Sequence, residues 1–407
     1  MKRFFITRWF VLLFPGLFFS GCGNTGITEA ARMSDTENEF TPEGMTGLDA
    51  LSYFREQGLN IGWNLGNALD AHRGGVSGET AWGNPRITGK IFEGVKKAGY
   101  QVVRIPITWM GHIGEAPDYH IDPDFLKRTA EVAGYARDAG LKVIINLHHD
   151  GATESGGKDL GWLSINKARQ SEEGMREVTA QFERVWVQIA KYFKNYGDYL
   201  MFESMNEVHD GNWGWGKEQD QKPQYEIVNQ WNQVFVNAVR STGGNNAGRF
   251  LVIPGYCTVP RHTTADYFKL PLDSAPGVNK LIVTVHYYDP YEFCIAAARH
   301  AWGSDADKRK ADQDFKAIAD RFITGGQVPV IIGESGAVRQ EGYEAARLEY
   351  FEYVYGKAHE LGLVPIYWDN GAFGSGGENF GLFNRTTGEP YSEETDGVIK
   401  AMILAVE

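Results

Sequence analysis

Pro329-Val330-Ile331-Ile332-Gly333-Glu334 is an apolar run of strand length that ends on a carboxylate. Val and Ile in succession, without polar alternation, suit a parallel strand covered on both faces. A carboxylate at the end of such a strand is costly unless it is paired or does chemistry. Seven more runs of the same kind lie at 59–63, 102–107, 142–147, 199–203, 250–254, 281–286 and 364–368. Between them the period changes to that of helices, as in Val178, Phe182, Val185, Ile189 and Phe193, or Ile91, Val95 and Ala98. Gly99, Gly140, Gly197 and Gly362 each stand shortly before a strand, where a glycine ends a helix by adopting the left-handed conformation.

Eight strands alternating with helices admit a closed barrel or an open doubly wound sheet. The strand ends decide between them. Asn64, Arg104, His148, Glu207, Tyr256, His286, Glu334 and Trp368 put a reactive or hydrogen-bonding group at or just after nearly every run. A closed barrel brings all eight ends to one mouth, whereas an open sheet would spread them along a line. The expected fold is therefore α/β, a (β/α)8 TIM barrel forming one catalytic domain over residues 45–407.

The start of the chain reads differently. Lys2, Arg3 and Arg8 precede or open an apolar run ending at Phe19, followed by Ser20 and Gly21, which is the pattern of a signal peptide over residues 1–21. Phe19-Ser-Gly-Cys22 resembles the bacterial lipobox, with Phe where Leu is more usual, and implies acylation of Cys22. Residues 22–44 are polar and read as a flexible tether. The expected location is a bacterial membrane, at the cell surface or in the periplasm, with the lipid as the sole membrane contact. Cys257 and Cys294 are too few for a disulfide framework, and whether they form one bridge is open.

A formal net charge of −12 and the lack of a basic stripe exclude nucleic acid as a natural partner. Aromatic residues make up 13% of the chain, with 11 Trp and 19 Tyr, a surplus that suits a cleft stacking the flat faces of sugars. Glu207 and Glu334, sharing one mouth, meet the need of glycoside hydrolysis for one carboxyl group that protonates the leaving oxygen and one carboxylate that attacks or activates water. The two pKa values must then be pushed apart, with Arg104 and Tyr288 as candidates to hold Glu334 ionised. Arg104, between Val103 and Ile105, requires a carboxylate partner. His286 and Tyr288 share a side of their strand, as do Asn146 and His148. His148-His149-Asp150 raises a metal-dependent barrel hydrolase as an alternative. Adjacent strand residues face opposite sides, however, so His148 and His149 are not expected to share an ion, and His149 reads as a packing or supporting histidine.

The segments Gly62-Trp-Asn-Leu-Gly-Asn67, Val103-Arg-Ile-Pro106, Asn146-Leu-His-His-Asp150, Asn206-Glu207, His286-Tyr-Tyr288, Gly333-Glu334 and Tyr367-Trp368 occur in this order at the strand ends. Together they resemble glycoside hydrolase family 5, the cellulase family of retaining barrel enzymes, over essentially all of residues 45–407. The resemblance implies Glu207 as acid/base, Glu334 as nucleophile and Asn206 as partner of the sugar 2-hydroxyl. Asn64, Arg104, His148, His286 and Tyr288 are expected at the substrate, and Trp368 as the platform under the sugar being cleaved. One departure is Val208, where the family commonly has Pro. Glu79 to Pro85 and the segment from His286 to Phe293 look like subfamily 4, which includes cellulases, mixed-linkage glucanases and xyloglucanases. Trp213 and Trp215 in the glycine-rich loop 210–216, and Trp82, are expected to touch sugar, while Trp186 reads as packing. The expected function is internal cleavage of β-1,4-glucans by a monomer that uses no cofactor and no metal. A non-catalytic glycan-binding lipoprotein on the same barrel is the alternative of another class.

Overall fold

The computed structural model describes residues 41–407. The signal peptide, Cys22 and most of the tether lie outside the described residues. The body begins slightly before the expected boundary at 45. Glu43 donates its backbone N–H to Asn195 O and pairs with Arg137 at 3.1 Å, and Gly44 O accepts from Asp198 N.

Eight parallel strands close a barrel: β1 (Gly62–Leu65), β2 (Val102–Ile105), β3 (Lys142–Asn146), β4 (Leu200–Glu203), β5 (Leu251–Pro254), β6 (Leu281–Tyr287), β7 (Val330–Ser335) and β8 (Leu363–Asp369). Each pairs with its neighbour in sequence, and β8 closes onto β1. All eight expected runs are strands. The connecting helices include α2 (Gly89–Lys97), α3 (Pro123–Asp138), α4 (Glu172–Tyr192), α5 (Lys222–Ser241), α6 (Asp305–Ile318), α7 (Glu344–Glu360) and α8 (Glu393–Ala405), while a shorter α1 (Ala50–Glu56) precedes β1. Between β5 and β6 the helix is only Pro260–Thr263.

Strand alternation divides the core into two layers. Val103, Ile105, Val143, Ile145, Phe202, Ile253, Val283, Val285 and Ile332 face outward against the helices. Val102, Ile144, Met201, Val252, Ile282, Ile331 and Ile366 fill the lumen, whose lower end is closed by Ala50, Tyr53 and Phe54 of α1. The lumen is thus packed, and only its upper end is left for polar side chains.

Two expectations change. Gly99, Gly140 and Gly362 have φ of 111°, 81° and 80°, as helix-ending glycines should, but Gly197 is absent from the positive-φ residues. A Cβ on Gly197 would meet Gly44 O at 3.0 Å and Glu43 Cβ at 3.2 Å, so close approach of the N-terminal segment is what that glycine serves. The second concerns β7. Val285 pairs with Ile332, yet the next residue, His286, pairs with Glu334, leaving Gly333 as the extra residue of a bulge. With Ile331 facing the lumen, plain alternation would send Glu334 outward. The bulge turns it inward.

A two-stranded hairpin, His72–Arg73 with Val76–Ser77, rises from the loop after β1. Cys257 and Cys294 are both buried free thiols, so the two do not form a bridge.

Candidate active site

Arg104 is the centre of the polar layer. It sits on β2 with no exposed surface, and the register places Asn64 of β1 beside it. Its Nε donates to Glu203 Oε2 at 2.7 Å, Nη1 to Glu334 Oε1 at 2.8 Å and to Asn64 Oδ1 at 3.1 Å, and Nη2 to Asn206 Oδ1 at 2.8 Å. Burial alone would lower the pKa of the guanidinium, but Glu203 and Glu334 outweigh it and raise it. Its planar fork fixes three strands at once, as lysine could not. The carboxylate partner expected from sequence is therefore present twice.

Asn64 and Arg104, expected at the substrate, do not reach the cleft surface. Asn64 is fully buried and donates to Gly333 O at 2.9 Å and Tyr367 O at 3.2 Å. Arg104 holds Glu203, Glu334 and Asn206 from beneath, and Asn64 braces Arg104 and the carbonyl of Gly333 next to Glu334. Asn206 commits its Oδ1 to Arg104 and its carbonyl to Thr258 Oγ1, which leaves the amide NH2 as its donor toward a ligand.

Glu334 accepts from Tyr288 Oη at 3.1 Å in addition to Arg104. His286 Nδ1 lies 2.6 Å from Glu207 Oε1 and 3.6 Å from Glu334 Oε2, and the carboxyl oxygens of Glu207 and Glu334 come within 4.8 Å of each other. Burial raises the Glu207 carboxyl to about 7, against a weaker pull from Arg104. Burial raises Glu334 as well, opposed by His286, Arg104 and the Arg104 hydrogen bond, while Glu207 adds to the rise. His286 is lowered to about 4 by burial and is neutral at pH 7. Tyr288, raised well above its ordinary value by burial and by Glu334, stays a hydroxyl donor.

His148 completes the floor. Its Nε2 stands 3.9 Å from Glu334 Oε1, its Nδ1 meets Asn146 Nδ2 at 3.3 Å, and its ring lies parallel to Trp368 at 5.8 Å between centroids. Trp368 is half-buried, on the edge of the cleft. Trp82 is joined to this wall through rings: it stacks obliquely on His149 at 5.4 Å and on His72 at 5.2 Å, with its indole N–H donating to His72 O. Trp213 and Trp215, both exposed, stand apart from the carboxylates, Trp213 stacked on His209 at 3.8 Å and Trp215 beneath the Arg261 guanidinium at 5.8 Å. Trp186 is buried, as expected of packing.

The separation of His148 from His149 does not hold. β3 ends at Asn146 and the chain turns into a short 3-10 helix, His149–Gly151, so strand alternation stops before the pair. Their rings meet edge to face at 4.5 Å, and with Asp70 they offer three ligand atoms within 4.8 Å. Among the described residues the other group with this capacity is Glu207, His286 and Glu334. In that second group Arg104 already supplies the positive charge beside Glu334.

Glu203 is the functional residue that sequence reading passed over. It is fully buried on β4 and accepts from Arg104 Nε and from Asn146 Nδ2 at 2.8 Å. The signal was an acid within Leu200-Met-Phe-Glu203, a run with no other polar group.

Comparison with known proteins bears on this arrangement. Residues 69–374 match the family model described as Cellulase (glycosyl hydrolase family 5). Endoglucanase B of Clostridium cellulovorans is 40% identical over 358 residues, covering 86% of this chain and 75% of that protein. A xyloglucan-specific endo-beta-1,4-glucanase of Bacteroides ovatus is 34% identical over 87% of this chain and 71% of its own length. Among solved structures, a GH5-4 broad specificity endoglucanase from Bacteroides salanitronis superposes with a TM-score of 0.82 at 42% identity, covering 92% of this chain and 99% of that one.

Proposed function

Because the chain belongs to glycosyl hydrolase family 5, we propose that it cleaves internal β-1,4-glucosidic linkages of plant cell-wall glucans by double displacement, with Glu334 as nucleophile and Glu207 as acid/base. The observation that carries this reading is the pair of carboxyl groups within 4.8 Å across His286. Retaining enzymes place the two about 5–5.5 Å apart, whereas an inverting water needs roughly 6.5–9.5 Å. Their surroundings assign the roles. Glu334 receives a guanidinium and a phenol, which favour the anion that attacks the anomeric carbon. Glu207, at about 7 and hydrogen-bonded to a neutral imidazole, keeps the proton that the departing 4-oxygen needs. In the second step Glu207, now a carboxylate, takes a proton from water as the water displaces Glu334.

Asn206 offers its amide to the 2-hydroxyl, and Trp368 with His148 forms the platform under the sugar being cleaved. Trp82 extends this wall toward one end of the chain, and Trp213 and Trp215 serve a more distant unit. The relatives above are named as endoglucanases, one of them xyloglucan-specific and one of broad specificity, which supports an unbranched β-1,4-glucan, a mixed-linkage glucan or xyloglucan as substrate. A 2-deoxy-2-fluoro cellobioside with a good leaving group should trap the glycosyl-enzyme. Peptide mass mapping is expected to find the sugar on Glu334, and a label on any other residue would contradict the assignment.

We also propose that the enzyme is held at a bacterial membrane through acylated Cys22, on the sequence pattern of residues 1–22 alone. Cys22→Ser should move the protein from the membrane to the soluble fraction. A wild-type mature N-terminus lacking Cys22 would contradict it.

A further inference from the structure

Three buried polar atoms beside the reacting carboxyl groups have no hydrogen-bond partner among the described residues: Glu203 Oε1, Thr284 Oγ1 and His286 Nε2. Thr284 and His286 are two apart on β6 and both face the lumen. A Cβ placed on Gly333 would stand 2.5 Å from Thr284 Oγ1 and 3.3 Å from His286 Nε2. The two atoms therefore border one small space, which the bulged glycine keeps open. Glu203 is near enough for its charge to act on the His286 ring.

The proton of neutral His286 has two possible seats, and they have opposite consequences for Glu207. With the proton on Nε2, Nδ1 is an acceptor and takes the hydrogen of a protonated Glu207. With the proton on Nδ1, the ring donates to Glu207 and favours its anion. The ionised carboxylate of Glu334, 3.6 Å from Nδ1, draws the proton to that nitrogen. Something on the opposite side must draw it to Nε2. A threonine hydroxyl across that small space can accept there through one water.

We propose that Thr284 is a positioning residue of the reaction: through one water its hydroxyl holds the His286 proton on Nε2, so that Nδ1 keeps Glu207 in its acid form. This rests on the acid/base role of Glu207. The other groups facing the His286–Glu207 pair are Arg104 from β2, His148 after β3, Glu203 on β4, Cys257 after β5, Tyr288 after β6 and Glu334 on β7. The proposal singles out Thr284 because its hydroxyl borders Nε2 and carries no charge of its own.

The test compares wild type with Thr284→Val, which keeps the shape, and Thr284→Ser, which keeps the hydroxyl. Long-range 15N–1H correlation on 15N-histidine-labelled enzyme, assigned with a His286→Gln reference, reads the tautomer directly. Wild type and Thr284→Ser are expected to show the Nε2–H form, and Thr284→Val a shift of population to Nδ1–H. In kcat/KM against pH, the basic limb of Thr284→Val should move to lower pH by roughly half a unit or more, with Thr284→Ser restoring it. An Nδ1–H tautomer in wild type, or a tautomer and basic limb unmoved in Thr284→Val, would overturn the proposal. The role of Glu207 is checked apart from this. Glu207→Ala should lose activity on unactivated oligosaccharides and recover it with azide on substrates with good leaving groups. If it does so while Thr284→Val changes nothing, the positioning role falls alone.

Discussion

Arg104 shows how much a single buried residue can decide. Its charge is shared between Glu203 at 2.7 Å and Glu334 at 2.8 Å, with Arg104 and Glu203 wholly buried and Glu334 nearly so. Arg104→Gln removes the cation and leaves two acids in the lumen, so unfolding in urea should reveal a loss of about 3–5 kcal/mol. With Glu334 pushed toward its neutral form, kcat should fall by roughly 100-fold or more. Arg104→Lys keeps a charge but cannot reach Glu203, Glu334 and Asn206 together, and should recover stability better than rate. A variant with unchanged kcat would mean that Glu334 does not depend on this contact. Glu207 makes a second prediction at the same scale. Its carboxyl, raised to about 7 by burial, is protonated below that pH and ionised above it. Activity on oligosaccharides with unactivated leaving groups should therefore fall as pH rises through about 7, whereas aryl glycosides with good leaving groups should keep their glycosylation rate further into the alkaline range. A common basic limb for both substrate types would oppose the role of Glu207 as acid.

Among the elements, the glycine-rich loop 210–216 carries Trp213 and Trp215, the exposed rings proposed above to serve a distant sugar unit. The loop holding Trp213 and Trp215 is tied down by Asn212 Nδ2 and Gln221 Nε2, both donating to Trp215 O at 2.7 Å, and by Gln224 Nε2 donating to Asp210 at 2.8 Å. Trp213→Ala and Trp215→Ala should each weaken use of long oligosaccharides by roughly 1 kcal/mol, about fivefold in kcat/KM, with little effect on short ones. Equal activity on every chain length would place both rings outside the cleft. The elements were also where sequence was most and least legible. All eight barrel strands could be read because each is covered on both faces and so is near-continuously apolar. The hairpin at 72–77 could not, because its two-residue strands have no period to detect. The bulge at Gly333 is a property of register between β6 and β7, which no local pattern encodes, although it is what aims Glu334 into the lumen. The same limit misplaced His148 and His149 on opposite sides, since the end of β3 at Asn146 governs where alternation stops. Glu203 was overlooked because it stood inside a run already explained as a strand. Asn64 and Arg104 share one hydrogen-bonded layer with Glu334, below the cleft surface, because depth within the lumen is not written in a strand's sequence.

For the molecule as a whole, burial of ionisable groups sets how stability varies with pH. His149 is lowered by burial to about 3, and His209, His262 and His286 to about 4, while His148 is lowered well below its ordinary value. At these histidines folded protein binds fewer protons than unfolded chain between about pH 4 and 6.5, a contribution to stability that rises with pH across that window. Asp70, raised to about 6, and Asp150 and Glu207, raised to about 7, act in the opposite sense from about pH 4 to 7, as do Asp314 and Glu334, both also raised by burial. The five carboxyls and the five histidines oppose each other, so the urea midpoint should vary only weakly between about pH 4.5 and 6.5, each such group changing the slope by up to about 1.4 kcal/mol per pH unit. His262→Gln removes one rising contribution and should make the slope less positive than that of wild type by up to about 1.4 kcal/mol per pH unit, and an unchanged slope would mean that His262 is not held neutral in the folded protein. The central claim, that two closely spaced carboxyl groups at one barrel mouth carry out double displacement through Glu334, is tested most directly by proton NMR of the first anomer released from a cello-oligosaccharide, read before mutarotation. The account predicts the β-anomer, because two inversions at the same carbon restore the configuration. An initial α-anomer would mean that water attacks in a single step and that Glu334 is not the nucleophile.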